Sequence, residues 1–126
     1  MSGVEDYVGA EKNRLLGRIG KHVKFSYPEI SKKVVGKLKD RYVLHTQSFT
    51  GVTDYWDVID LIELEHNGKK IEAIRFGYYR RTKEGKLIWG SQTTLTENIE
   101  TLKTLFKECA KEKSWFKKLL LNALQT

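Results

Sequence analysis

"DYWDVIDLIELEHNGKKIEAIRFGYYRR", residues 54–81, decides the fold, because its first half fits two structures. Asp57, Asp60 and Glu63 recur at every third position, as on the polar face of a helix. Asn67-Gly68 argues the opposite. A two-residue type I′ turn needs positive φ at both central positions, and Asn-Gly supplies it most readily. Folding the chain about that dipeptide pairs residues whose numbers sum to 135. Glu65 then faces Lys70, Leu64 faces Ile71, Ile62 faces Ala73 and Asp60 faces Arg75. Only Glu63 opposite Glu72 is unfavourable. Charge and size agree too often for a helix, so the segment is predicted as an antiparallel hairpin with strands 56–66 and 69–80.

Both faces of that hairpin are partly apolar. Trp56, Val58, Ile62, Leu64 and Ile71 share one face; Ile59, Leu61, Ile74 and Phe76 share the other. Such a strand pair belongs in the middle of a curled sheet with a helix against part of it. After it, "TKEG" predicts a turn with Gly85 in the left-handed position, followed by the strand "KLIWGSQTTL". A three-residue loop pairs Thr82 with Lys86 and sets Trp89 beside Tyr79; a four-residue loop sets Trp89 beside Tyr78 and Phe76 in the core.

Before the hairpin, "VEDYVGAEKNRLL" reads as a helix over 4–16, with Glu5 and Asp6 in its first turn. "KHVKFSY" alternates as a half-buried strand that Pro28 stops. "KKVVGKLKDRYVLHTQ" reads as one long bent strand or two short ones, with Gly36 as the bulge. From Thr96 the period becomes helical: Ile99, Leu102, Phe106, Cys109 and Ala110 form one stripe, with Thr96 as N-cap. Ser114 is the expected cap of a second short helix whose apolar side is Phe116, Leu119, Leu120, Ala123 and Leu124. The expected fold is one α+β domain over 1–126: a strongly curved antiparallel sheet of five or six strands, with closure into a partly open small barrel left open, and N-terminal and C-terminal helices.

Three Trp, six Tyr and five Phe in 126 residues supply one packed core. The single cysteine, Cys109, excludes an intramolecular disulfide and a multi-cysteine zinc site, and fits a reducing, cytoplasmic compartment. No stretch approaches the roughly 18 apolar residues of a membrane span. Glu5, Asp6 and Glu11 do not read as a signal peptide. The net charge of +7 is uneven: residues 1–40 hold nine Lys/Arg against five Asp/Glu, residues 41–66 one against five, and residues 67–126 thirteen against six. A basic surplus in the C-terminal half raises the case for a polyanionic partner.

Catalytic signatures are weak. His22, His45 and His66 lie far apart, with no two-His helical motif, so no metal is expected. Cys109 sits on an apolar stripe, the usual place of an inert thiol. No glycine-rich loop indicates a nucleotide cofactor. Asp57, Asp60, Glu72 and the "EGK" of 84–86 can be arranged as a small metal-dependent nuclease, but a cross-strand Asp60–Arg75 ion pair is the simpler account. Tyr78 and Tyr79 beside Arg80 and Arg81 lack the second block that tyrosine-mediated strand transfer needs.

What remains is binding. Arg75, Tyr79, Arg80, Arg81 and Lys86, with Gln92, would give the hairpin stacking faces and cations together. Lys103, Lys107 and Lys111 recur every four residues as a basic ridge. The expected function is a non-catalytic binding module for DNA or RNA, with no catalytic residue, cofactor or membrane partner. The alternatives are a protein-interaction or scaffold domain, in which the aromatics are core and the lysines only solvated, and the nuclease.

Overall fold

Asn67 and Gly68 take φ of 52° and 77°, the left-handed pair that a type I′ turn requires. The computed structural model, which describes residues 4–26, 33–48, 51, 53–90 and 95–125, places them between two long strands, β3 (Asp54–His66) and β4 (Lys69–Arg81). Their pairing is the expected one: Glu65 opposite Lys70, Leu64 opposite Ile71, Ile62 opposite Ala73 and Asp60 opposite Arg75. The helical reading of 54–65 is thereby excluded.

The chain enters through α1 (Val4–Leu16), β1 (His22–Ser26) and β2 (Lys33–Gln47), and leaves through β5 (Leu87–Trp89), α2 (Ile99–Glu112) and α3 (Ser114–Leu124). The five strands lie in sequence order, β1-β2-β3-β4-β5, each antiparallel to its neighbours, and curl into a half-barrel. This is the expected α+β architecture, with five strands. The placement of Pro28 and Gln92 lies outside the described residues.

β2 is one continuous strand, bent where the register slips between Leu38 and Asp40. The bulge is therefore not at Gly36, which pairs with Leu64. The extra residue is Lys39, and it resolves the one unfavourable pair of the hairpin. Its Nζ lies 3.0 Å from Glu72 and 3.7 Å from Glu63, so the facing carboxylates share a cation.

Alternation divides the sheet between its helices. One side presents Val43, Trp56 and Val58 to Tyr7, Val8, Leu15 and Leu16 of α1. The other presents Tyr42, Ile59 and Ile74 to Leu105, Cys109 and Phe116 of α2 and α3. The three-residue loop is the one used: Thr82 N–H donates to Lys86 O at 2.7 Å, Gly85 has φ 82°, and Trp89 pairs with Tyr79.

Asn98, not Thr96, caps α2: its Oδ1 accepts from Thr101 N–H at 2.8 Å. Thr96 stands two residues too early to reach the first free amides. Lys113 is the cap residue of α3 and makes no side-chain cap bond there, so Ser114 is its first residue. The Lys113 ammonium instead reaches Asp40 at 3.0 Å, beside a 2.8 Å bond from Trp115 Nε1 to the same carboxylate. These two bonds tie α3 to β2.

Candidate ligand-binding site

Tyr78 and Tyr79 are successive strand residues and must face opposite sides. Tyr79 goes to the α1 side, where its ring centroid lies 4.9 Å from that of Trp89 and its hydroxyl accepts from Arg41 Nη2 at 3.2 Å. Arg75 shares that side. It donates to Asp60 Oδ2 at 2.9 Å, and its guanidinium lies 4.6 Å above Trp89. Arg81 lies 4.2 Å above the Tyr7 ring and 3.9 Å from Glu11. Three of the eight residues expected to bind nucleic acid are thus held in contacts on the α1 side of the sheet.

The expected Asp60–Arg75 pair is present, but it has a third member that the sequence did not reveal. Arg41 binds the same carboxylate through Nε at 2.6 Å and Nη2 at 3.0 Å, and gives its remaining nitrogen to Leu15 O at 3.1 Å. Both Arg41 and Asp60 are fully buried. The triad joins β2, β3 and β4 to the end of α1.

Tyr78 goes to the other side with Phe76 and Arg80. There it meets Tyr55 edge to face, with centroids 5.6 Å apart. The two tyrosines line a cavity of about 780 Å³ with Gln47, Asp57, Glu97 and Asn98. Arg80 is exposed and directly opposite Tyr55 in the ladder, on the same side of the sheet. Lys103, Lys107 and Lys111 are also exposed and belong to the helix that begins at the cavity. Lys103 lies 3.9 Å from Glu100 and Lys111 3.6 Å from Glu108, surface pairs that hold their charges only weakly. Lys86 is exposed after the β4–β5 turn. The expected set is therefore divided: Arg80 and the three lysines share the α2 side, while Arg75, Tyr79 and Arg81 lie on the α1 side.

At the floor of the cavity lies Asp57, 1 % exposed, with an Oδ2 that has no hydrogen-bond partner. Burial, then a hydrogen bond with Glu97 and that group's like charge, raise its pKa to about 9. Both causes favour the protonated form of Asp57. Glu97 also accepts from Thr46 Oγ1 at 3.3 Å, so its carboxylate is positioned from the sheet as well as from the chain entering α2.

In the sequence Asp57 is one of several acids recurring at every third position, and Glu97 stands beside the start of α2. Forty positions separate them, and no periodicity links them. The available signal was local: Asp57 stands between Trp56 and Val58 in a strand apolar on both faces. Among the described residues no group of three or more His, Cys, Asp or Glu side chains is arranged to hold a metal ion. The acids of the alternative nuclease reading are dispersed, since Asp57 and Asp60 face opposite sides and Glu72 is bound to Lys39. No described helix is long and apolar enough to cross a membrane. Compared with known proteins, the chain matches no family model, no curated protein and no solved structure.

Proposed function

We propose that this protein is a non-catalytic binding module whose ligand is single-stranded nucleic acid, held on the side of the sheet that carries α2. The observation that carries this reading is the tyrosine-walled cavity with Arg80 in register beside it. Single strands are held by aromatic faces that accept bases and by cations that follow the backbone. Tyr55 and Tyr78 supply the first, and Arg80, Lys103 and Lys107 the second. Lys103 and Lys107 also line a groove of about 520 Å³ with Leu102 and Phe106, next along the same helix. The aromatic partner in this reading is Tyr78, in place of Tyr79.

A second reading, a protein-interaction surface, is favoured by one observation. Phe76, Ile99 and Leu102 are 44 %, 76 % and 38 % exposed, apolar side chains on the strand and helix of that same side.

The deciding experiment is a salt titration of binding to a labelled single-stranded oligonucleotide. Log affinity should fall linearly with log salt, by roughly 0.7 per phosphate contact. Replacing Lys103 and Lys107 together by Gln should flatten the slope by about 1.4. Absence of binding at low salt, or binding insensitive to salt, would overturn the nucleic-acid reading and leave the protein-interaction one.

A further inference from the structure

The cavity walled by Tyr55 and Tyr78 mixes donors with acceptors. Ser48, Tyr55, Tyr78 and Thr96 bring hydroxyls to its lining, and Gln47 and Asn98 bring amides. Each of these groups both donates and accepts. Glu97 adds a carboxylate, which only accepts. It is half-buried, so a ligand can reach it. Thr46 Oγ1 and Asp57 take up part of its acceptor capacity, and a carboxylate has about four lone-pair sites to share. Asp57 itself, 1 % exposed, lies too deep to meet a ligand and serves to hold Glu97.

A phosphate is disfavoured inside the cavity, because no described lining residue is a Lys, Arg or His and two carboxyl groups stand there. A sugar hydroxyl suits it, since one hydroxyl donates to a carboxylate while accepting from a neighbouring hydroxyl or amide. Many sugars meet that condition. The cations outside the cavity select one that carries phosphates: Arg80 stands opposite Tyr55 in the ladder, and Lys103 and Lys107 are exposed along α2. We propose that the cavity takes a ribonucleoside unit of an RNA strand, its 2′-hydroxyl donating to Glu97 and its base lying against Tyr78 or Tyr55. This deepens the nucleic-acid reading above and rests on it for the strand. A volume of about 780 Å³ accommodates base and sugar together. The tyrosine rings stand at 79° to one another, so they offer a flat base one face and one edge. The 2′-hydroxyl is the group by which a protein tells RNA from DNA.

The full-length protein should be titrated with oligouridylate and oligodeoxyuridylate of equal length, which differ only in the 2′-hydroxyl. Oligouridylate should bind about ten-fold more tightly, the order of one hydrogen bond to a charged group. Two modified strands separate the hydroxyl from the shape of the sugar. A 2′-fluoro strand keeps the sugar pucker of RNA without the donor, and a 2′-methoxy strand keeps the oxygen without the donor. Both should bind no more tightly than the deoxy strand. Glu97→Ala should bring the ratio of oligouridylate to oligodeoxyuridylate affinity close to one. The strand series needs no protein variant, so it stays decisive if Glu97→Ala does not fold.

Equal affinity for the uridine and deoxyuridine strands, or a 2′-fluoro strand that binds as RNA does, would overturn the ribose assignment and leave strand binding standing. Uridine monophosphate bound in a Glu97-dependent way, with no strand bound, would keep the ribose site and overturn the strand reading. Failure of every strand and of uridine monophosphate to bind at low salt would overturn both.

Discussion

Arg41 and Asp60 are joined by two hydrogen bonds, at 2.6 and 3.0 Å, with both side chains fully buried. Removing one member of such a pair leaves an unpaired charge in the interior, which typically costs about 3–5 kcal/mol. Asp60→Ala should therefore be severely destabilising, since it strands two arginines. Arg75→Ala should cost less, on the order of 1 kcal/mol, because Arg75 is 23 % exposed and Asp60 keeps Arg41. Urea denaturation of the three proteins at neutral pH checks the ranking. Equal losses for the two variants would mean that Arg75, not Arg41, is the principal partner of Asp60.

Asp57 gives the fold a measurable pH dependence. Its pKa is raised from 3.8 to about 9, by burial first and then by Glu97. Below pH 4 the group is protonated in both the folded and unfolded chains and contributes nothing to the difference. Between pH 4 and 9 the unfolded chain releases the proton and the folded protein keeps it, so this group lowers stability progressively as pH rises. Its slope is at most about 1.4 kcal/mol per pH unit. Asp57→Asn should flatten the profile, gaining on the parent protein from pH 5 to pH 8. A variant with an unchanged pH profile would show that Asp57 is ionised in the fold.

What was legible in the chain was what neighbouring strands decide between themselves. The β3–β4 register followed from Asn67-Gly68 and from the charges of Glu65, Lys70, Asp60 and Arg75, all within thirty residues. The bulge in β2 was not legible, because its place depends on Lys39 reaching Glu63 and Glu72 across two strands. Parity separated Tyr78 from Tyr79 correctly, yet it could not say which side α1 would cover. That depends on Tyr7 and Leu15 packing against Trp56, contacts made across some forty residues of chain. The cavity was least accessible of all. Asp57 and Glu97 acquire their chemistry only when α2 begins beside β3, and nothing local to either residue announces the other.

Two glycines, Gly77 in β4 and Gly90 just after β5, hold aromatic rings in place. A Cβ on Gly77 would lie 2.0 Å from the Trp89 ring, and one on Gly90 2.3 Å from the Tyr78 ring, both far inside van der Waals contact. A glycine inside a strand pattern marks such a close approach. Gly77→Ala should displace Trp89 from Tyr79 and Arg75, lower stability by about 1–3 kcal/mol, and change the tryptophan emission. Gly90→Ala should move Tyr78 instead, on the cavity side, with its effect read in the near-ultraviolet dichroism of tyrosine. The same spectral change from both variants would contradict the separation of the two rings by the sheet.

The tyrosine doublet offers the cleanest separation of core from binding surface, because its members differ by one residue and one side of the sheet. Tyr79 belongs to the cluster of Trp56, Val58 and Leu15 and bonds Arg41. Tyr79→Ala should therefore destabilise the fold by about 2–4 kcal/mol, as large-to-small changes in packed sites do. Oligonucleotide affinity of the protein that remains folded should not change. Tyr78→Ala removes a wall of the cavity and a partner of Tyr55. It should weaken oligonucleotide binding by about 1–3 kcal/mol, the range of one lost base stack, and leave the salt slope unaltered because no cation is removed. Fluorescence anisotropy at two salt concentrations, paired with urea melts, measures both quantities on the same samples. If Tyr79→Ala alone weakened binding, the reading surface would have to be moved to the α1 side, and the triad of Arg41, Asp60 and Arg75 would lie beneath it.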